Sequence, residues 1–384
     1  MRRFLTFLTA LVLVLGSLAI GLLAADLPFW RRAAQLPLAA DESYLPVIAT
    51  GPGTPPAAGA LPVSTAQQSD TAALEYAVRQ ARNAGSRVLL VMRKGEPVLA
   101  RYFGADDERS LVPAGLVARP VVAMAVGLAI ADGRLGPLDT PVSRYLPEWD
   151  GEPRGSITLR QLLEDTSGLE TGGDVRGLLH RSPWDDLAHL PAFATSKGVR
   201  MLLGNDFAST ALRFELEHEP GGFFNLSPAN AQLAALIIER ATGVPYEDFV
   251  GERIFAAAGA GPAELPVDRR AGMPAAHCCW RTTAPGVARL VSLLATDGEH
   301  SGRRILPQGW VAEMARASRV NAGSGMQLQR VDVEGLTALA GEDDNGSRFW
   351  VFPEYQIAIV NLVNPSGSSP AELPGLLLRA LPPG

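Results

Sequence analysis

Apolar positions follow several rhythms along the chain, and each predicts a different element. Residues 4–25, FLTFLTALVLVLGSLAIGLLAA, are uncharged and apolar throughout and follow Arg2 and Arg3. A helix of about 20 such residues spans a bilayer core. Residues 26–61 are rich in Pro, Ala and Gly, as in ATGPGTPPAAGALP, and read as a linker. DTAALEYAVRQARNAG then shows helical spacing, with an Asp to cap its start and a Gly to stop it. RVLLVMRKGEPVLARYFG contains two apolar runs around Lys94-Gly95, a hairpin signal. From Gly115 to about Ala284 the pattern is mostly helical with long loops. PGVARLVSLLATDGEHSGRRILPQGWVAEMARAS gives a helix, a turn and a second helix, and SRFWVF and YQIAIVNLV pair as strands around Pro353-Glu354. SPAELPGLLLRAL closes the chain as a helix.

This order predicts an α/β domain (in the α+β sense) assembled from both ends of the chain, residues 62–114 and 285–384. Its antiparallel sheet is flanked by helices, and a mostly helical domain, residues 115–284, is inserted. There is no internal repeat.

Composition adds limits. With 384 residues, 47% hydrophobic and 19% charged, the chain is long and apolar enough for a sizeable core. A net charge of −6 gives no electrostatic footprint for nucleic acid. Two readings of residues 1–25 are open. The length of the apolar core favours an uncleaved membrane anchor, with the N-terminus inside and the body exported. A cleaved signal is the alternative, with Ala19-Ile20-Gly21 as a passable site, and it would release a secreted protein. Phe29 and Trp30 suit a membrane interface, and no Cys follows the apolar run to take a lipid. Cys278 and Cys279 are adjacent; a ring closed by neighbours is strained, so the expectation is a buried thiol pair. The five His show no metal-ligand spacing, and no cofactor is implied.

Five segments carry a family pattern: VGLAIADGRLGPLDTPVSRYLPEW, ITLRQLLEDTSGLETGG, EPGGFFNLSPANAQLAALIIERATGVPYEDFVGERIF, CCWRTTAPGVARLVSLLATDGEHSGRRILPQGWV and SRFWVFPEYQIAIVNLV. Their order resembles the penicillin-recognising serine hydrolases: class C β-lactamases, esterases of the same fold, D-Ala-D-Ala peptidases and 6-aminohexanoate-oligomer hydrolases. The resemblance covers roughly residues 65–380 and implies a β-lactamase/transpeptidase-like fold. It also implies a Ser-x-x-Lys pair at the start of the central helix, where a spacing of three lets the Lys amine accept the Ser proton. Counting back from Gly133 places Leu116 at the Ser position and Arg119 at the Lys position. Leu has no nucleophilic atom, and Arg stays protonated. No shift of register repairs this. The two lysines, Lys94 and Lys197, are preceded at that spacing by Val91 and Ala194, so the chain holds no Ser-x-x-Lys.

The family's Tyr motif falls on FFNLSPANAQL, with Leu226 at the Tyr and Pro228 at the Asn. Its third motif, a Lys- or His-bearing strand segment, falls on GEDDNGS, residues 341–347. The candidate cleft residues are therefore Arg119, Pro228, Asp343, Asp344, Asn345 and Gly346. Pro120 would lack the N–H that bonds the Leu116 carbonyl, so the expectation is a helix that begins near Pro120, a kink within a longer helix being the other reading. Arg119 then either pairs with Glu342, Asp343 or Asp344 across the old cleft, or is turned to solvent.

TSGL, Thr166 to Leu169, is read as structural. The loop serines Ser110, Ser227, Ser324 and Ser347 have no base near them in sequence. The functional expectation is an exported, membrane-tethered and catalytically inactive relative of serine hydrolases that binds or scaffolds in the cell envelope. A cell-wall peptide or a protein is its partner by family analogy. The alternative is an active amide or ester hydrolase with a nucleophile foreign to the family.

Overall fold

A seven-stranded antiparallel sheet unites the two ends of the chain. A computed structural model describes residues 26–36, 47–49, 71–175, 178, 188, 190–261, 263–364 and 367–381. In chain order the strands are β1 (Val47–Ala49), β2 (Ser86–Arg93), β3 (Glu96–Tyr102), β4 (Leu111–Pro113), β5 (Glu264–Pro266), β6 (Arg281–Thr283), β7 (Glu299–His300), β8 (Arg303–Arg304), β9 (Ser324–Gly325), β10 (Leu328–Val333), β11 (Leu336–Glu342), β12 (Arg348–Phe352) and β13 (Ile357–Val363). The large sheet runs β3-β2-β13-β12-β11-β10-β9. Here β13 lies antiparallel to both β12 and β2, with Val360 opposite Leu90 and Phe349. The SRFWVF and YQIAIVNLV strands thus join the RVLLVM hairpin in one sheet.

Alternation along β2 builds both layers. Leu89 and Val91 face the outer layer; of the two leading helices among the described residues, α1 (Leu27–Gln35) packs on the helical region and α2 (Thr71–Asn83) on this layer. Of these, α2 contributes Ala77 and Ala81 to that layer, beside Leu373 and Leu377 of the closing helix (Leu373–Ala380). Val88, Leu90 and Met92 face the opposite way, into the larger core. That core holds α3 (Gly115–Ala131), α4 (Leu159–Leu163), α5 (Lys197–Leu203), α6 (Phe207–Leu212), α7 (Pro228–Thr242), α8 (Ala284–Ala295) and α9 (Trp310–Ala315) or their neighbours. A second sheet, β1-β5-β6-β4, leads the chain through β4 into α3.

The helix α3 is apolar on every side, as a helix at the centre of a domain must be. Thirteen of its seventeen residues are buried, Leu116 through Ala118 and Pro120 through Ala129. This corrects the expected start near Pro120: α3 begins at Gly115 and carries Pro120 inside. An interior proline costs about 3 kcal/mol, and burial of the flanking side chains, each worth about 1.5–3 kcal/mol for a Val or Leu, outweighs it. The Leu116 carbonyl, deprived of its helical donor, turns toward β11, 3.0 Å from where a Cβ on Gly341 would stand. Pro120 also borders a small packing gap with Val117, Val121, Met124, Leu290, Val291, Leu294 and Phe349, too small to admit water.

Two further corrections concern the front of the chain. Part of the expected linker is structured: Leu27–Gln35 is the helix α1 and Val47–Ala49 pairs with β5. Phe29, expected at a membrane surface, is fully buried against Phe193, Val199 and Leu203. Arg32 donates to the carbonyls of Leu203, Gly204 and Asp268, and Arg200 bonds Asp26 at 2.7 Å. Among the described residues no helix is long and apolar enough to cross a membrane. The apolar run 4–25 lies outside the described residues.

Tight packing of α3 yields a first prediction. Gly127 lies against the Trp310 ring, and a Cβ there would sit 2.3 Å from the indole, which donates from Nε1 to the Ala123 carbonyl. Gly127→Ala should lower stability by about 1–3 kcal/mol through overpacking, measured by chemical denaturation with an unchanged slope.

Candidate functional site

The start of α3 is where a nucleophile and its base would stand. Leu116 is there, 2% exposed and part of the core. One turn on, Arg119 leaves the helix toward the loop after α4. That loop has a defined local cause. Thr158 and Gln161 form a reciprocal capping box at the start of α4. At its other end, Gln327 donates from its backbone to the Leu163 carbonyl at 2.8 Å and from Nε2 to the Leu162 and Leu163 carbonyls. The chain then turns at Asp165, in the left-handed region with φ 55°, a conformation that Asp tolerates better than most residues.

Arg119 closes this corner. Its guanidinium donates to both Asp165 oxygens, at 2.7 and 2.6 Å, and its Nε donates to Gln327 Oε1 at 2.7 Å. Asn230, in the first turn of α7, donates to Asp165 Oδ1 at 2.9 Å and accepts from Ser167 at 2.6 Å. Asn225 N–H bonds the Asp165 carbonyl at 2.8 Å. Burial pushes the Asp165 carboxyl above its ordinary value, while Arg119 and the hydrogen bond from Asn230 pull it down. Nη2 alone meets both carboxylate oxygens while Nε is held by Gln327, and charge-assisted bonds of this kind are stronger than neutral ones.

The expected partner for Arg119 is thereby corrected from the acidic run to Asp165. The run serves its own turn instead. Asp343 accepts from the backbone N–H of Asn345 and of Ser347, both at 3.0 Å, closing the β11–β12 hairpin. Gly346 takes φ 85° there, and Glu342 lies 3.9 Å from Arg348. Asp343 Oδ2 is buried with no hydrogen-bond partner among the described residues, and burial pushes this carboxyl up to about 6. Asp344 is exposed at the tip of the turn. Pro228 opens α7, and Leu226 is 55% exposed beside Phe223 at 52%. Phe223 lines an open groove of about 580 Å³ with Pro153, Leu216, Glu217, His218, Glu219 and Gly222.

A second cluster lies against the same end of α3. Cys278 and Cys279 are joined by a disulfide, which corrects the expected thiol pair. The ring is accommodated because Cys279 takes φ 71° and its flanks are pinned. Ala276 N–H bonds Gln232 Oε1 at 2.9 Å, and the Trp280 carbonyl accepts from Ala114 at 2.7 Å. His277 faces Gln232 Oε1 through Nδ1 at 3.2 Å. Burial, and secondarily Arg119, pulls its pKa down to about 3, so the ring is neutral. Asp165, Asn230, Gln327 and His277 escaped the sequence reading. An unpaired Arg119 signalled that some carboxylate was needed, but nothing local selected Asp165 over the acidic run.

The sequence and the fold match known proteins. A family model described as Beta-lactamase matches residues 72–381, and the chain belongs to that family, within the penicillin-recognising serine hydrolases. A 6-aminohexanoate-dimer hydrolase of Paenarthrobacter ureafaciens is 27% identical over 267 residues, 68% of this chain and 63% of that protein. The match therefore spans less than two thirds of that relative's length. Protein flp of Staphylococcus aureus is 29% identical over 195 residues, 48% of this chain and 35% of its own. Among solved structures, a Bacillus anthracis protein assigned to the 6-aminohexanoate-dimer hydrolases has a TM-score of 0.66 at 18% identity, covering 87% of this chain and 88% of that one. A D-stereospecific amidohydrolase from Streptomyces scores 0.58 at 19% identity, covering 82% and 99%. At such identities the structural likeness speaks for the fold alone.

Two predictions follow from the charges. Asp165→Asn should cost about 3 kcal/mol, because it leaves Arg119 in a buried corner without its counter-charge. Combining it with Arg119→Leu should recover part of that loss in a double-mutant cycle. Asp343 makes stability depend on pH. Its folded pKa of about 6 lies above its ordinary 3.8, so its stabilising contribution is complete below 3.8 and lost as pH rises through 6. Relative to Asp343→Asn, the native protein should lose about 3 kcal/mol over that window, measured by denaturant midpoints across pH.

Proposed function

We propose that this chain is a catalytically inactive member of its family, tethered to a membrane by residues 1–25 with an exported body that binds or scaffolds in the cell envelope. The observation that carries the reading is the Arg119–Asp165 pair beside a core Leu116. A base that cannot release its proton stands next to a residue with no nucleophilic atom. The four loop serines offer no substitute. Ser227 and Ser324 donate to the Glu170 and Asn321 carbonyls, and Ser347 accepts from Val363 N–H. Ser110 donates to Asp107, whose carboxyl that bond holds below its ordinary value, making it a weak base.

Support for a binding role comes from the loop at the Tyr position. It presents Phe223 and Leu226 to solvent, Phe223 lining the groove, and exposed apolar groups of this kind mark interaction surfaces when they cluster. The amidohydrolase and hexanoate-hydrolase relatives suggest a peptide-like partner. Support for the tether comes from α1, which clamps the chain to the body from Asp26 onward. The disulfide fits an oxidising compartment.

The test is a fluorophosphonate label, with a chromogenic cephalosporin as substrate, on the full-length protein in detergent. Neither an adduct nor turnover is expected. Leu116→Ser combined with Arg119→Lys should remain inactive, because Leu226 supplies no hydroxyl to carry the proton to the leaving group. A stoichiometric adduct on a single serine of the native chain would refute inactivity and turn attention to that serine's surroundings.

A further inference from the structure

We propose that Cys278–Cys279 is a thiol–disulfide exchange site whose substrate is an external dithiol, and that its redox state sets the conformation of the start of α3. The argument begins with placement. The backbone nitrogen of Cys279 lies 3.3 Å from the position a Cβ on Gly115 would take, against the first turn of α3. Cys278 is half-buried, whereas Cys279 is 6% exposed. The two sulfurs are therefore unequal: an incoming thiolate reaches Cys278, and Cys279 is the leaving sulfur. The backbone of Cys279 lies against the N-terminal end of a 17-residue helix, whose N–H groups favour negative charge formed nearby.

The reaction balances with the dithiol alone. Its first thiolate bonds to Cys278 Sγ, the Cys278–Cys279 bond breaks, and Cys279 departs as a thiolate. The donor's second thiolate then attacks its own sulfur in the mixed disulfide and releases Cys278. Two electrons pass to the protein, and the donor's two thiol protons end on Cys278 and Cys279. The donor leaves as a disulfide.

Opening the ring has a direct route to α3. Cys279 sits at φ 71°, a region that a residue with a Cβ leaves when it can. The next residue, Trp280, accepts the Ala114 N–H at 2.7 Å through its carbonyl, and Ala114 is the residue before the first turn of α3. Relaxation at Cys279 therefore acts on the hydrogen bond that fixes where α3 begins, three residues from Val117 and close to Leu116. The β4–β6 pairing, with Val112 opposite Thr282, lies on the same path.

The experiment uses the full-length protein in detergent, without denaturant. Alkylation followed by mass spectrometry should find neither Cys278 nor Cys279 modified before dithiothreitol and both modified after it. Hydrogen exchange at Ala114 to Val117 should become about tenfold faster on reduction and return to its first rate after oxidised glutathione. Cys278→Ser should show the fast exchange with or without reductant. If that variant does not fold, the native arms decide. Two alkylatable thiols before reductant, reduction only in denaturant, or full reduction with unchanged exchange at Ala114 to Val117 would each overturn the proposal.

Discussion

The burial of α3 on every side is the constraint from which the rest of the structure follows. A helix wrapped by sheet, α7, α8 and α9 leaves no direction in which a polar group is cheap. That is why Pro120 is held inside regular helix, why Gly127 is pressed to an indole, and why the one charged side chain on its length must be met by a carboxylate.

Arg119 shows how that demand shapes its surroundings. The guanidinium draws in groups from three parts of the chain: Asp165 after α4, Gln327 before β10, and through Asp165 the amide of Asn230 on α7. Asp165 and Gln327 both adopt left-handed backbone, at φ 55° each. Non-glycine residues persist there only where their surroundings over-determine them. The corner ties Arg119, Asp165, Gln327, Asn230 and Ser167 into one polar network. Such a network rigidifies a core, whereas a reacting base has to change partners.

The same end of α3 gathers the chain's other unusual features. The ring of Cys278 and Cys279 and the closed turn at Asp343 stand on either side of Gly115, with Cβ-to-atom approaches of 3.3 and 3.7 Å. A side chain at that point would press on the Cys279 backbone nitrogen, while Asp343 Cβ would stand at ordinary contact distance. At the front of the chain, α1 is pinned by the buried Phe29 and by Arg32, so its position follows that of the helical region.

By itself, the sequence determined the layers and the missing chemistry. The apolar runs in RVLLVM and YQIAIVNLV mark strands, and the lysine positions alone exclude a Ser-x-x-Lys. Those are local properties, readable from neighbours along the chain. Tertiary structure alone decided which carboxylate meets Arg119, since Asp165 and the acidic run offer the same charge and differ only in where their loops are carried. It also decided that Pro120 stays in helix, because local cost yields to burial supplied by distant segments, and that two adjacent cysteines close a ring, because Gln232 and Ala114 hold the backbone on both sides of it. The docking of α1 is of the same kind: the segment reads as a linker in sequence, and the surface that receives it, formed by Phe193, Val199 and Leu203, exists only once the helical region has folded.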